Sequence, residues 1–213
     1  NRFPWAPHAS LGVGAGLRPR HYRELEAGVS GVSWFEAISE NFMFTRGRPL
    51  YELERVAERF PIILHGVSLS IGSTAPLDFE YLAALARLRD RVGAKWVSDH
   101  LCWAGVPGRA LHDILPLPYD EPTLEHVVER LRIVQDYLES PILLENPSTY
   151  LELSASTMSE SQFLAEVAER ADAGILLDVN NVYVNYRNHG DDPLEYFSRL
   201  PAARIGQLHV AGH

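Results

Sequence analysis

Pro141-Ile-Leu-Leu-Glu-Asn-Pro-Ser148 runs three apolar residues straight into a carboxylate and an amide, with proline near both ends. A short apolar run bounded in this way reads as a strand buried on both faces. Packing alone does not end such a strand in Glu-Asn, because a buried charge is costly unless it is paired or bound to metal. The same construction recurs along the chain. Ile62-Ile-Leu-His65 ends in a histidine, and Trp96-Val-Ser-Asp-His100 ends in Asp-His. Ile175-Leu-Leu-Asp178 ends in a carboxylate with Asn180 and Asn181 just beyond it, and Ile205-Gly-Gln-Leu-His209 ends in a histidine. Five apolar strands thus close on side chains of the metal-ligand type.

Outward from these five, the pattern alternates. Strands are expected at 11–16, 32–38, 62–65, 95–99, 141–145, 174–178 and 204–210. Helices are expected at 20–27, 48–60, 79–92, 120–139, 159–171 and 191–200, with Asp78 capping the third and Ser159 with Gln162 forming a capping box on the fifth. Strand–helix alternation without a composition break implies parallel strands joined by crossover helices. The expectation is one α/β domain over residues 1–213, a TIM (β/α)₈-type barrel with seven strands and the eighth βα unit missing. An open doubly wound sheet is the alternative, but it would gather its functional residues at one switch point. Here the candidates come from five strands, which favours the closed ring. The glycines of Leu11-Gly-Val-Gly-Ala-Gly16 have the wrong spacing for a dinucleotide fingerprint and read as close backbone packing.

The bulk composition excludes several classes. The 213 residues are 46% hydrophobic and 22% charged, as in ordinary globular domains. A net charge of −9 argues against general binding of nucleic acid or anionic membrane. No apolar run approaches the roughly 18 residues of a membrane span, and no signal peptide is visible. One cysteine, Cys102, leaves no disulfide framework and fits a cytoplasmic location. The chain opens on Asn1 rather than Met, so the natural N-terminus is expected to lie outside it.

In a barrel the C-terminal strand ends converge on one face. His65, His100, Glu145, Asp178 and His209 are then expected to share a volume, and imidazoles with carboxylates suit iron, zinc or manganese. Glu145, on the middle strand of the set, is the natural bridge between two cations, and Glu145 and Asp178 are the candidate catalytic carboxylates. Glu36 or Glu40 could also face the site. The 20-residue stretch from Leu101 to Asp120 is long enough to be functional or mobile. His112 within it is expected to be a surface histidine, and His126 a surface or packing one.

Six runs, Glu40-Asn-Phe42, His65-Gly-Val-Ser-Leu-Ser-Ile-Gly72, Ser98-Asp-His-Leu101, Leu144-Glu-Asn-Pro147, Leu177-Asp-Val-Asn-Asn181 and Gln207-Leu-His-Val-Ala-Gly-His213, resemble the DUF692 family. These are the multinuclear non-heme iron-dependent oxidases that include the methanobactin and bufferin maturation enzymes. The resemblance implies a TIM barrel holding two or three irons. It implies O₂-dependent oxidation of cysteines in a ribosomally made precursor peptide, to oxazolone–thioamide or thiooxazole groups that bind copper, and a helper protein that presents the peptide. The ligands it implies are His65, His100, Glu145, Asp178, Asn181 and His209. It also implies that the family's chain continues past Ala211-Gly-His213 with an aspartate, a histidine and a last-strand glutamate, so either this chain is a fragment or its eighth unit comes from elsewhere.

Two other classes compete with that reading. One is a divalent-metal isomerase or phosphodiesterase on a similar barrel, as in the xylose isomerase and endonuclease IV relatives. The −9 charge argues against a nuclease, and no strand ends in the lysine that an isomerase would commonly want. The other is a non-catalytic, metal-binding remnant.

Overall fold

The computed structural model describes residues 2–28, 30–106 and 109–211, with the side chains at 23, 26, 27, 105, 106 and 109–113 left aside. The chain forms two compact units. The smaller comprises His8–Ser68 and Asp78–Val97, and the larger comprises Asn1–Pro7, Leu69–Leu77 and Ser98–His213.

In the smaller unit, β1 (Gly14–Gly16), β2 (Trp34–Ile38) and β3 (Ile62–His65) lie parallel and side by side in chain order. On the far side of β3, Lys95 N–H donates to Ile62 O and Leu64 N–H donates to Trp96 O. The chain then enters β4 (Val97–His100). All four residues of β3 are buried, as a parallel strand covered on both faces requires. Helices α1 (Tyr22–Ala27), α3 (Arg48–Ala57) and α4 (Phe79–Val92) connect the strands. Helix α3 buries Leu50, Leu53 and Val56, and α4 buries Tyr81, Leu82, Leu85 and Leu88. Asp78 caps α4 by accepting from Glu80 N–H and Tyr81 N–H. A four-residue helix, α2 (Glu40–Met43), is not expected from the sequence; Ser39 N–H, ahead of it, donates to His65 O. The glycine run in β1 is a packing feature. A Cβ on Gly14 would stand 2.2 Å from the Trp34 ring.

In the larger unit, residues 98–100 of β4 pair in parallel with β7 (Leu143–Glu145), β7 with β8 (Gly174–Asp178), and β8 with β9 (Ile205–His209). Each new parallel strand joins the one before it and no order reverses, which is barrel rather than doubly wound topology. Seven parallel strands are present among the described residues, as the sequence implies. Within the long stretch after β4 lies an antiparallel hairpin, β5 (Trp103–Val106) with β6 (Arg109–Leu115). The helices are α5 (Glu121–Leu138), α6 (Glu160–Ala171), α7 (Val179–His189) and α8 (Pro193–Arg199). Asp120, Ser159 and Asp192 cap α5, α6 and α8 with their side chains. No described helix is long and apolar enough to cross a membrane.

Helix α7 departs from the sequence expectation. It carries Asn180, Asn181, Asn185 and Asn188 with several β-branched residues, a composition of low helix propensity. Tertiary hydrogen bonds described below hold it. The N-terminal segment, irregular as expected, has a packing role. Trp5 fills space beside β8 and β9, where a Cβ on Gly174 or Gly206 would stand 2.4 or 2.5 Å from its ring. The Trp5 indole N–H donates to Ala203 O at 3.0 Å. Trp5→Ala is expected to destabilise the fold by about 2–3 kcal/mol, because removing a half-buried indole leaves a void between two glycines. Urea unfolding checks this, and an unchanged midpoint would contradict the packing role.

Candidate metal centre

Parallel pairing sets the strand ends level. His100 lies opposite Glu145 across β4–β7, and Asp178 lies opposite His209 across β8–β9. Their side chains meet. His100 Nε2 is 3.3 Å from Glu145 Oε2, and His209 Nδ1 is 3.3 Å from Glu145 Oε1 and 3.8 Å from Asp178 Oδ2. Ligand atoms of Glu145, Asp178 and His209 all lie within 4.8 Å of one another. Atoms each about 2.1 Å from a single ion stand about 3–4 Å apart, so small side-chain movements would close these three on one cation. His65 ends β3 in the smaller unit, where it is 4% exposed.

Glu145 is 2% exposed and faces an imidazole on either side. Burial pushes the Asp178 carboxyl above the usual range; its neighbour Glu145 adds to the rise, while Asn181 N–H and His209 oppose it. Two crowded carboxylates with two imidazoles form a nitrogen–oxygen donor set suited to iron, zinc or manganese, and a bound cation would relieve the repulsion.

A framework of amides holds these groups. Asn146, fully buried, bridges β7 and β8: its Oδ1 accepts from Asp178 N–H at 2.8 Å and its Nδ2 donates to Asp178 O at 3.0 Å. Asn181 N–H donates to Asp178 Oδ1 at 2.7 Å, and Asn181 Nδ2 donates to Asn146 O at 2.9 Å. Asn181 is therefore a clamp on Asn146 and Asp178, and the atom it can offer a metal is Oδ1. Asn181, Asn185 and Asn188 follow one another at spacings of four and three along α7, so they share a face. That face grips the segment after Glu145. Thr149 N–H donates to Asn185 Oδ1 at 2.8 Å, and Asn188 Nδ2 donates to Thr149 O at 2.8 Å. On β9, Gln207 Nε2 lies 3.0 Å from His209 Nε2. As placed, the Gln207 NH₂ donates to Nε2, which leaves the ring proton on Nδ1 toward Glu145. For Nδ1 to bind a cation, Nε2 must carry the proton, and the Gln207 amide must turn over to present its carbonyl oxygen.

Other candidates take supporting roles. Asp99 accepts from Leu69 N–H at 3.2 Å and from His100 N–H at 2.7 Å. His126 is a packing residue, with Nε2 2.9 Å from Ser73 O, and Arg130 donates to Ile71 O and Ala75 O beside it. In the smaller unit, Glu40 Oε1 accepts from Val67 N–H at 2.9 Å and from Tyr81 O–H at 2.8 Å. The His112 side chain lies outside the described residues. Cys102 is fully buried, and burial pushes its thiol well above the ordinary range, with Asp99 and Glu145 adding to the shift.

Sequence reasoning does not mark Asn146, Gln207 or the α7 asparagines beyond Asn181 as working residues. Asn146 is visible as part of a strand ending, but its bridging needs β7 and β8 side by side. The asparagine spacing on α7 is the one available signal.

Solved structures share the fold. A 3-keto-D-glucoside 4-epimerase from E. coli superposes with a TM-score of 0.63 at 15% identity, covering 95% of this chain and 80% of that one. Endonuclease IV from Thermus thermophilus gives 0.57 at 16% identity, covering 93% and 74%. At such identities the likeness is one of fold, the TIM barrel of the sugar isomerases and epimerases. Sequence relatives are much nearer. A UPF0276 protein of Anaeromyxobacter sp. (strain Fw109-5) is 58% identical over 203 residues, 95% of this chain and 72% of the relative. A UPF0276 protein of Caulobacter vibrioides (strain NA1000 / CB15N) is 50% identical over the same shares. The family model described as RiPP precursor modification enzyme MbnB/TglH/ChrH matches residues 12–213, RiPP denoting a ribosomally made, post-translationally modified peptide. With the match running from the first parallel strand through the last, this chain belongs to the MbnB/TglH/ChrH family of RiPP precursor modification enzymes.

Proposed function

We propose that this chain is an iron-dependent oxidase that modifies cysteines of a ribosomally made precursor peptide with O₂, in the cytoplasm, with a helper protein presenting the peptide. The observation that carries the reading is the meeting of His100, Glu145, Asp178 and His209 at adjacent strand ends in a member of a precursor-modifying family. The proposed ligands are those four with Asn181, and with His65, which ends β3 as His100 ends β4. Iron held there would supply the redox chemistry by which O₂ oxidises a thiol.

The protein's own residues have distinct parts. Glu145 lies between two imidazoles and has an oxygen toward each, the placement a carboxylate needs to serve two cations. Asp178, fixed through Oδ1 by Asn181 N–H, would offer Oδ2 to the metal beside His209. The reacting cysteine must come with the substrate, because Cys102 is sealed in the core as a neutral thiol. The fold shared with sugar epimerases supports the alternative, a divalent-metal isomerase or hydrolase acting on a substrate other than a peptide.

The test is anaerobic loading with ferrous iron, addition of Cys-containing precursor peptides encoded beside the gene, brief exposure to air, and mass spectrometry. The expected result is a mass change that requires iron and disappears when the peptide's cysteines are replaced by serine. Unchanged peptide mass with an iron-loaded protein would remove the oxidase reading and put the isomerase ahead.

A further inference from the structure

Away from the strand ends, Glu160 opens α6 with a carboxylate that receives three side-chain donors. Tyr196 O–H donates to Oε1 at 2.8 Å. Tyr119 O–H and Asn185 Nδ2 donate to Oε2 at 3.2 and 3.1 Å. An ionised carboxylate is an acceptor only, so it dictates which end of the Asn185 amide faces it. With Nδ2 turned toward Glu160, the same nitrogen donates to Pro147 O at 3.1 Å and Oδ1 is left to accept from Thr149 N–H at 2.8 Å. Asn185 is 4% exposed, so a reversed amide would set donor against donor with little water to compensate. The Pro147–Thr149 segment follows directly on Glu145 and Asn146.

We infer that Glu160 is a positioning residue for the metal centre: it fixes the Asn185 amide, which fixes the Pro147–Thr149 segment and so the placement of Glu145 and Asn146. The inference rests on the metal-site reading above and adds a residue that contacts none of the proposed ligands. The titratable groups facing Glu160 are Tyr119 ahead of α5, Tyr196 on α8 and Asp191 ahead of α8. Burial pushes the Glu160 carboxyl up to about 7, against the Tyr196 and Tyr119 hydroxyls, with Asp191 adding to the rise. The sign follows. Below that value a protonated Glu160 gives up part of its accepting capacity and holds Asn185 less firmly, and above it the hold is complete.

The experiment compares wild-type protein with Glu160→Gln, using cobalt(II) as the probe. It follows visible absorption on titration between pH 6 and 8, together with the backbone amide resonances of Asn146 and Thr149. An amide at position 160 has one acceptor oxygen for three donors, so Asn185 is held less firmly, although Pro147 O and Thr149 N–H still set which way its amide faces. The expected result is cobalt affinity about tenfold weaker at pH 8, shifted absorption bands, displaced Asn146 and Thr149 amides, and a shallower rise of affinity with pH than in wild type. Unchanged affinity, spectrum and amide shifts in a folded Glu160→Gln protein would overturn the inference. If wild-type protein takes up no cobalt, the metal-site reading fails, and the amide resonances alone decide whether Glu160 holds the segment. If Glu160→Gln does not fold, Tyr196→Phe removes one donor from the same carboxylate. Its amide shifts are expected to move the same way by less, and unmoved shifts would overturn the inference.

Discussion

Replacing Glu145 with glutamine is expected to weaken metal binding by at least about 100-fold while leaving the metal-free protein as stable as before. Glutamine keeps the volume of the side chain in a site only 2% exposed. It removes the negative charge that two imidazoles and a cation would share, and its NH₂ must face one of the two histidines 3.3 Å away. Changes that merely perturb the partners of a ligand cost about 10–100-fold in affinity, so loss of the central ligand should cost at least the upper end of that range. Without metal, a buried carboxylate crowded by Asp178 contributes little, and its neutral isostere is neutral or stabilising. The two effects separate in a melting experiment. Metal at about 100 times its dissociation constant stabilises wild type by about 2.7 kcal/mol, and that increment should vanish in Glu145→Gln. His126→Gln, which alters a histidine bonded to Ser73 O away from the strand ends, should retain it. Equal metal-induced stabilisation in wild type and Glu145→Gln would remove Glu145 from the centre.

Asn146→Ala should be the most destabilising change near the centre that touches no proposed charge. The side chain makes two reciprocal hydrogen bonds with the Asp178 backbone, and Asn181 Nδ2 holds its own carbonyl. Truncation leaves the Asp178 N–H and C=O without these partners beside a fully buried position, at about 1–3 kcal/mol for each group. A loss of about 2–4 kcal/mol in unfolding free energy is expected, with metal affinity falling because Asp178 is no longer pinned. Asn146→Asp separates the parts: it keeps an acceptor for Asp178 N–H but sets an oxygen against Asp178 O. Ionised, it should fold no better than Asn146→Ala, and it should regain stability at low pH, where a protonated carboxyl can donate to Asp178 O. Denaturant unfolding checks the order, and an Asn146→Ala protein as stable as wild type would contradict it.

Where local chemistry and tertiary need agree, the sequence is legible. Asp78 and the helix it caps, the strand Ile62–His65 and the strand Gly174–Asp178 have the bounds their patterns imply. The two strands join punctuation to an unbroken hydrophobic run, and the helix joins a cap to a periodic apolar face. The strand-end histidines and carboxylates are visible because a buried strand has no packing reason to close on such groups. What escapes depends on distant neighbours. Helix α7 is written in asparagines that disfavour a helix in isolation, and it is held by the very segment it holds. The β5–β6 hairpin sits in a proline- and glycine-containing stretch that reads as a loop. Trp5 gives no local signal, since its function is to meet Gly174 and Gly206, far along the chain.

The most direct measurement of the central claim, that strand-end histidines and carboxylates form a metal centre, is X-ray absorption of the anaerobically iron-loaded protein and its His100→Ala and His209→Ala variants. The expected spectrum has a first shell of nitrogen and oxygen at about 2.0–2.2 Å with outer-shell scattering from imidazole, and that scattering falls in each variant. Iron bound without imidazole scattering, or with scattering unchanged in both variants, would contradict the account.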